Sequence, residues 1–302
     1  MNAKTVNKVK VPGATLHYEV TGSGPVLLLI AGGFTDGGVF ESIVGQPVSR
    51  VGDSLTWAAP RHAPRGVGEA ATMNPASRPL LRLAMHAPGH RPPSSNLRHG
   101  TLAAEYTVVA YDPRGNSRSP YDEAPVDERV DRSAADALAV LDVVGGDEPA
   151  YVFGSSSGAI TGLELLARYP DRVRILVAHE PPAVEVLPDV EVARAFFEDV
   201  HGTFRTDGVE AALRLFSGGL GFDEEDEPAP EDLRPEYREV MERMGANMAV
   251  FFAHKLLPFT RYRPELAALK EVAHKLVPAA GIESAKHLVV PCRRQNRRSR
   301  SG

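Results

Sequence analysis

Short, uninterrupted apolar runs recur along the chain, and stretches with helical spacing or turn residues separate them. Three such runs cover residues 26–30, 107–111 and 150–153, and residues 173–178 predict a further strand. Continuous apolar runs of this length are typical of strands that are buried on both faces of a parallel sheet. Residues 132–144 carry apolar positions at helical spacing, and two glycines end that pattern. Alternating strands and helices predict a parallel sheet with right-handed crossovers.

The pattern changes at both ends of this region. Residues 5–11 and 14–20 predict a β-hairpin that turns at Pro12-Gly13. Residues 183–270 are mainly helical in pattern, and a further apolar run follows at 276–280. We therefore expect an α/β fold with a mostly parallel sheet flanked by helices, in which a helical cap is inserted after the sixth strand.

Two stretches show neither pattern. Residues 46–100 hold eight prolines, seven arginines and two acidic residues, and so long an insertion without periodicity argues against a folded core. Residues 292–302 are polar and basic, which predicts a disordered tail. The expected organisation is a core of residues 1–182 and 271–291 that contains the irregular insertion, a helical cap over 183–270, and the basic tail.

Composition narrows the class of protein. The chain has 302 residues, 43% hydrophobic content and a formal net charge of −5, which fits a sizeable core and argues against general nucleic-acid binding. No N-terminal apolar segment resembles a secretory signal, and no run approaches the ~18 apolar residues that a membrane span needs. The sole cysteine, Cys292, excludes an internal disulfide. We expect a cytoplasmic protein.

The most informative motif is Gly-Ser-Ser-Ser-Gly at residues 154–158. It follows an apolar run and precedes a segment of small and apolar residues that Pro170 ends, so strand, tight turn and helix occur in the order a nucleophile elbow requires. Gly154 and Gly158 lack a Cβ, which lets neighbouring backbone pass close to Ser156. The helix N-terminus would direct N–H groups toward an oxyanion formed beside the serine. A glycine- and serine-rich loop without chemistry is the alternative.

Several other segments match the same family as this motif. They are Leu-Leu-Ile-Ala-Gly-Gly-Phe at 28–34, Tyr-Asp-Pro-Arg-Gly-Asn-Ser-Arg-Ser at 111–119, Arg-Tyr-Pro-Asp-Arg-Val at 168–173, and Val-Ala-His-Glu-Pro-Pro at 177–182. With them the chain resembles the α/β-hydrolase superfamily, and in particular its members with a helical cap. The resemblance covers residues 5–45 and 104–290, and a shared fold alone does not establish an activity.

The resemblance implies a catalytic triad and an oxyanion hole. Ser156 would be the nucleophile, with a carboxylate and then a histidine base later in the chain. The oxyanion hole would consist of the Ser157 N–H and one N–H from the Gly-Gly-Phe turn, with Phe34 as first choice and Gly33 as second. Neither a cofactor nor a metal is implied.

Two carboxylates are candidates for the acid of the triad. Glu283 follows the apolar run at 276–280, where the family's usual acid lies. Glu180 follows the preceding strand, a position that some members use instead. We favour Glu283, and a solvated loop carboxylate is the alternative for each.

No histidine occupies the position that the triad requires. The family's base follows a helix and a final strand after the acid, a span of roughly 25–30 residues at usual element lengths, whereas only residues 284–302 follow Glu283. His287 comes too early, and the context of His179 favours a pocket or structural role. One hypothesis is that the chain lacks the family's C-terminal segment with the histidine, and that both irregular stretches derive from non-coding or alternatively spliced sequence.

The sequence thus predicts a serine hydrolase of small ester or related acyl substrates, which a missing histidine would impair. The alternative is a non-catalytic pseudohydrolase that binds a small molecule. A small-molecule substrate is the expected partner, with neither nucleic acid nor membrane. The sequence also allows a homo-oligomer, because an unpaired strand at 276–280 would leave a sheet edge exposed for pairing with a second subunit.

Overall fold

A computed structural model describes residues 4–44, 102–220 and 235–280 of the chain. The predicted insertion over 46–100 and the predicted basic tail over 292–302 lie entirely outside the described residues. Glu283 and His287 also lie outside them. The described residues therefore belong to the predicted core and the predicted helical cap.

The described residues form one mixed sheet of seven strands. The strands are β1 (Thr5–Val11), β2 (Ala14–Gly22), β3 (Val26–Ile30), β4 (Thr107–Tyr111), β5 (Ala150–Ser155), β6 (Val173–His179) and β7 (Leu276–Ala279). Their order is β1-β2-β4-β3-β5-β6-β7. The pairs β1–β2 and β2–β4 are antiparallel, and all other neighbours are parallel. The predicted α/β fold with a mostly parallel sheet is confirmed.

Helices connect and flank these strands. They are α1 (Glu41–Val44), α2 (Leu102–Glu105), α3 (Val130–Gly145), α4 (Ser157–Arg168), α5 (Val190–Asp207), α6 (Val209–Leu220), α7 (Pro235–His254), α8 (Leu256–Thr260) and α9 (Leu266–Glu271). Leu28 and Ile30 of β3 belong to one apolar cluster with α3 and α4, whereas Leu27 and Leu29 belong to a second cluster. The sheet is therefore buried on both faces, as its continuous apolar runs predict.

The described part of the chain between β6 and β7 is mainly helical. Helices α5, α6, α7 and α8 share an apolar cluster of their own that includes Phe197, Val200 and Phe252, and Phe34 packs against it. We call residues 183–270 the helical segment. It contacts the rest of the molecule near Phe34, which lies in the turn after β3.

One predicted helix is interrupted in the structure. The apolar spacing predicts a single helix over 235–257, but α7 ends at His254 and α8 begins at Leu256. Pro258 has no N–H to donate to the carbonyl four residues earlier, at His254. That carbonyl instead accepts the Glu128 N–H at 2.8 Å. The break places Lys255 at the junction of the two helices.

Candidate functional site

Strand β5 and helix α4 meet at Ser156, where the backbone adopts an unusual conformation. Ser156 has φ 54° and ψ −123° and is the N-cap residue of α4. A positive φ is uncommon for a residue with a side chain. The Ser156 N–H donates to the His179 carbonyl at 2.8 Å, and the Ser156 carbonyl accepts the Ala159 N–H at 2.9 Å. These bonds hold a strained turn whose side chain is exposed.

Glycines allow three backbone segments to meet at this turn. A Cβ on Gly154 would lie 2.3 Å from the Gly158 carbonyl oxygen, and one on Gly158 would lie 2.2 Å from that of Ile30. A Cβ on Gly32 would lie 2.3 Å from the Ser155 oxygen and 2.8 Å from Ser156 Cβ. Residues 32–35, which we call the glycine turn, therefore lie directly beside Ser156.

A side chain also connects the glycine turn to α4. The Gly33 N–H donates to Ser157 Oγ at 2.7 Å. Ser157 is the first residue of α4, so its own N–H has no acceptor within the helix. The first residue of the helix thus occupies the Gly33 N–H with its hydroxyl and presents its N–H beside Ser156.

Two buried asparagines bind the carbonyls of the glycine turn. Asn116 Nδ2 donates to the Gly33 oxygen at 3.2 Å and to the Thr35 oxygen at 2.7 Å. Asn247 Nδ2 donates to the Phe34 oxygen at 2.9 Å. Three successive carbonyls are therefore each held by a side-chain amide, one from the turn after β4 and one from α7.

Lys255 is buried at the junction of α7 and α8, with 5% of the residue exposed. Its Nζ donates to the Arg114 carbonyl at 2.6 Å and to Asn116 Oδ1 at 2.5 Å. Burial lowers the pKa of Lys255 to about 8; nearby Glu128 and Asp136 oppose that change and Arg114 adds to it. The side-chain oxygen of Asn116 therefore accepts a hydrogen bond from a buried amine.

Helix α7 presents one face to the glycine turn and to the residues that follow it. Arg243 Nε donates to Asp36 Oδ2 at 2.6 Å, and the Phe251 ring meets the Phe34 ring edge-on with centroids 5.4 Å apart. Arg243, Asn247 and Phe251 are spaced by four residues, which places them on the same side of a helix. The apolar positions that predict this helix give no sign of these polar contacts, whose partners are distant in the sequence.

A small cavity with a mixed polar and apolar lining lies between these groups. Its volume is about 20 Å³, and its lining includes Gly33, Ser157, Asp136 and Lys255. A cavity of that size accommodates about one water molecule. Polar groups such as Asp136 and Lys255 therefore line part of this space, and apolar side chains such as Ile30 and Phe259 line the rest.

Comparisons with known proteins agree with this architecture. The model of the alpha/beta hydrolase fold family matches residues 91–218. The uncharacterized hydrolase YraK of Bacillus subtilis strain 168 is 30% identical over 296 residues, which cover 95% of this chain and 83% of YraK. The chain belongs to the α/β-hydrolase family. The family resemblance read from the sequence motifs is thus confirmed.

Solved structures support the α/β-hydrolase fold at lower sequence identity. A thermophilic esterase from Thermogutta terrifontis superposes with a TM-score of 0.58 at 15% identity, covering 91% of this chain and 80% of the esterase. An enol-lactonase from Burkholderia xenovorans LB400 superposes with a TM-score of 0.51 at 16% identity, covering 93% and 96%. These likenesses concern the fold.

His179 and Glu180 lie at the carboxyl end of β6, next to the serine turn of this α/β-hydrolase. His179 Nδ1 lies 3.2 Å from Ser155 Oγ, and its Nε2 lies 4.0 Å from Glu180 Oε1. The imidazole stacks on Phe153. Among the described residues, no histidine hydrogen-bonds the Ser156 hydroxyl. The structure therefore brings Ser156, Ser157 and the glycine turn together, while Glu283 lies outside the described residues.

Two kinds of feature are absent from the part of this α/β-hydrolase that the structure describes. No group of three or more His, Cys, Asp or Glu side chains there is arranged to hold a metal ion. No helix in the same residues is long and apolar enough to cross a membrane.

Proposed function

We propose that this α/β-hydrolase is a serine hydrolase of small esters or related acyl compounds, with Ser156 as nucleophile. The observation that carries the proposal is the conformation of Ser156, with φ 54° at the junction of β5 and α4. Such a turn holds a serine hydroxyl at the tip of a strand–turn–helix unit. Attack of Ser156 Oγ on an acyl carbon would place an oxyanion at the N-terminus of α4, where the helix dipole is favourable.

The proposed oxyanion hole consists of the Ser157 and Phe34 N–H groups. Ser157 N–H is at the first position of α4, where no helical carbonyl is available to it. In the glycine turn, the Gly33 N–H already donates to Ser157 Oγ, and this supports Phe34 over Gly33 as the second donor. One donor of this kind is worth roughly 3–4 kcal/mol of transition-state stabilisation.

The helical segment would act as a cap over this site. Phe251 supports that role, because its ring contacts Phe34 and comes within 3.7 Å of the place where a Gly33 Cβ would be. An acyl chain attached to a carbon at Ser156 would then lie against aromatic side chains of the segment. This favours substrates with a small apolar acyl group.

Glu283 stays our first candidate for the acid of the triad and Glu180 the second. Glu180 is supported by its position after β6 and by its 4.0 Å approach to His179 Nε2. A serine needs a base to react. Because no described histidine bonds the Ser156 hydroxyl, a non-catalytic small-molecule-binding protein is the second candidate function.

Labelling with a fluorophosphonate probe tests the proposed nucleophile. We expect the wild-type protein to be labelled at Ser156 and to hydrolyse p-nitrophenyl butyrate, and Ser156→Ala to lose both properties. Ser155→Ala is the matched control, since it removes the adjacent hydroxyl and should keep the label at Ser156. Labelling that persists in Ser156→Ala would contradict the proposal. A folded wild-type protein that resists the probe but is thermally stabilised by small ligands would instead favour the binding protein.

A further inference from the structure

The hydrogen bonds of Asn116 fix the orientation of its amide group. Lysine is only a donor, so the atom of Asn116 that meets Lys255 Nζ at 2.5 Å must be the oxygen. The amide nitrogen then faces the carbonyls of Gly33 and Thr35, to which it donates. Asn116 is fully buried, and water does not compete for these positions. Lys255 and the two carbonyls thus favour the same orientation of the amide, with its nitrogen toward the glycine turn.

The peptide link between Gly33 and Phe34 transmits this orientation to a backbone donor. The carbonyl of Gly33 and the N–H of Phe34 belong to one planar unit, in which they point in opposite directions. An amide that holds the Gly33 oxygen therefore also sets the direction of the Phe34 N–H. Asn116 binds that oxygen at one edge of the peptide unit, and the Phe34 N–H points away from the opposite edge.

The surroundings of Lys255 show that its amine does not serve a direct ion pair. Within the described residues, the nearby carboxylate of Asp136 pairs with Arg114 at 2.5 Å, and that of Glu128 pairs with Arg132 at 2.8 Å. Lys255 Nζ bonds only neutral oxygens, one of them a backbone carbonyl. Burying an ammonium without a carboxylate partner is costly. One of the two bonds of Lys255 Nζ goes to the same amide that binds the glycine turn.

We propose that Lys255 is a positioning residue for the oxyanion hole, through which the helical segment fixes the Phe34 N–H by way of Asn116. The inference rests on the proposed serine-hydrolase function and deepens it. The helical segment would then do more than cover the site. The position of α7 and α8 would determine the direction of the Phe34 N–H, the second donor of the oxyanion hole. Displacement of α7 and α8 would release Asn116 and with it the glycine turn.

Two variants interrupt this connection at different points. Lys255→Met removes the amine and retains an apolar chain of similar length. Asn116→Asp keeps an oxygen for Lys255 but loses both N–H groups that bind the glycine turn. Lys275→Met is the matched control, because Lys275 Nζ also donates to a backbone carbonyl, that of Pro170, at 2.7 Å. The control removes the same functional group without touching the glycine turn.

Each variant is measured in three ways in the full-length protein. For p-nitrophenyl butyrate we expect kcat to fall about 10-fold or more in Lys255→Met and in Asn116→Asp, with KM changed by less than about threefold, because an oxyanion donor acts in the transition state. Hydrogen exchange of the peptide containing residues 31–36 should become faster in both variants. The rate of fluorophosphonate labelling at Ser156 should fall in parallel. Lys275→Met should match the wild type in all three.

The outcomes separate this inference from the proposed function. If the wild type is neither labelled nor active but exchange at 31–36 rises in both variants, the connection stands and the hydrolase function fails. If exchange and kcat stay at wild-type values in folded Lys255→Met, the positioning role is overturned. It is also overturned if the losses in Lys255→Met and Asn116→Asp add fully in the double variant, since residues that act in series are not additive.

Discussion

The three adjacent serines have different environments although the sequence repeats one residue. Ser155 Oγ lies 3.2 Å from His179 Nδ1, and Ser157 Oγ accepts the Gly33 N–H at 2.7 Å. Within the described residues, the Ser156 hydroxyl has no hydrogen-bond partner, and Ser156 alone of the three has a positive φ. The two neighbours therefore stabilise the turn, and the central serine stays available to an acyl substrate.

A single methyl group at Gly32 should disturb this arrangement. A Cβ there would lie 2.3 Å from the Ser155 oxygen and 2.8 Å from Ser156 Cβ, so the glycine turn would have to move away from the serine. We expect Gly32→Ala to lower the free energy of unfolding by about 1–3 kcal/mol and to abolish labelling at Ser156. Denaturant titration and probe labelling measure the two effects.

Gly202→Ala provides the control for that prediction. Gly202 lies inside α5, and a Cβ there would have no heavy atom within 4 Å. Alanine in an open helix interior should stabilise the protein by about 0.5–1 kcal/mol. Equal effects of the two substitutions would argue against close packing at the serine turn.

At the residue scale, the serine turn can be predicted from the sequence because its residues are contiguous. Contacts between residues far apart in the chain cannot. Ser156 and its flanking glycines lie within five consecutive residues, and the strand and helix around them can be recognised from neighbouring apolar patterns. Asn116 and Lys255 are 139 positions apart. No periodicity connects them, so only the folded chain shows that one orients the other.

At the scale of elements, α7 connects the helical segment to the core through a buried ion pair. Arg243 Nε donates to Asp36 Oδ2 at 2.6 Å, and Asp36 is fully buried. Burial by itself would raise the pKa of Asp36, but hydrogen bonds from Arg243, Ser117 and the Gly38 N–H hold it below its usual value of 3.8. The contact therefore depends on an ionised carboxylate.

The stability contribution of this pair should disappear in acid. A carboxyl whose pKa is lowered on folding stabilises the native state above its unfolded pKa, and this contribution is lost as the pH falls through the folded pKa. We expect Arg243→Met to cost about 3 kcal/mol near pH 7, since it leaves a buried charge unpaired. The difference from wild type should shrink as the pH is lowered from about 5 to below 3.8. Denaturant titration at several pH values measures it.

Arg261→Met is the matched control for the acid experiment. Arg261 also pairs with a carboxylate, that of Glu198 at 2.8 Å, but both residues belong to the helical segment and both side chains are about half exposed. An exposed pair contributes less than about 1 kcal/mol, so this substitution should have little effect at any pH. If Arg243→Met behaved in the same way, α7 would not be anchored through Asp36.

The elements themselves were well predicted where local pattern determines them. The strands β3 and β4 have the bounds that their apolar runs predict, and α3 extends the predicted helix by a residue or two at each end. The break at Lys255 was missed, because it depends on Pro258 and on the Glu128 N–H that binds the His254 carbonyl. The polar face of α7 was missed because its partners lie in the core.

At the scale of the whole molecule, the helical segment has an apolar cluster separate from the two clusters on the sheet, and buried polar side chains lie where it meets the core. Phe34 packs against the cluster of the helical segment. Asn116, Asn247 and Lys255 are each no more than 5% exposed and lie where the two parts meet. Burying polar groups weakens folding unless their bonds are made. The free energy of unfolding should therefore depend on whether the hydrogen bonds at this junction are made. The titration of Lys255 should make that free energy depend on pH.

The pH dependence follows from the depressed pKa of Lys255. Below pH 8 the amine is protonated in both the folded and the unfolded chain. Between pH 8 and the unfolded value of 10.5, the unfolded chain retains a proton that the folded chain has released. The unfolded state then binds more protons, so stability rises with pH through this window. The neutral amine still has two N–H groups for Arg114 and Asn116.

We therefore expect the free energy of unfolding of the wild type to rise relative to Lys255→Met by about 2 kcal/mol between pH 7.5 and pH 9.5. Denaturant titrations at both pH values measure the difference, and the same comparison with Lys275→Met should show no such rise. A constant difference between wild type and Lys255→Met would mean that Lys255 keeps its proton over this range. A difference that changed in the opposite direction would mean that the folded state holds the lysine proton more tightly than the unfolded chain, and the amine at the junction would then be stabilised by charge and not merely tolerated there.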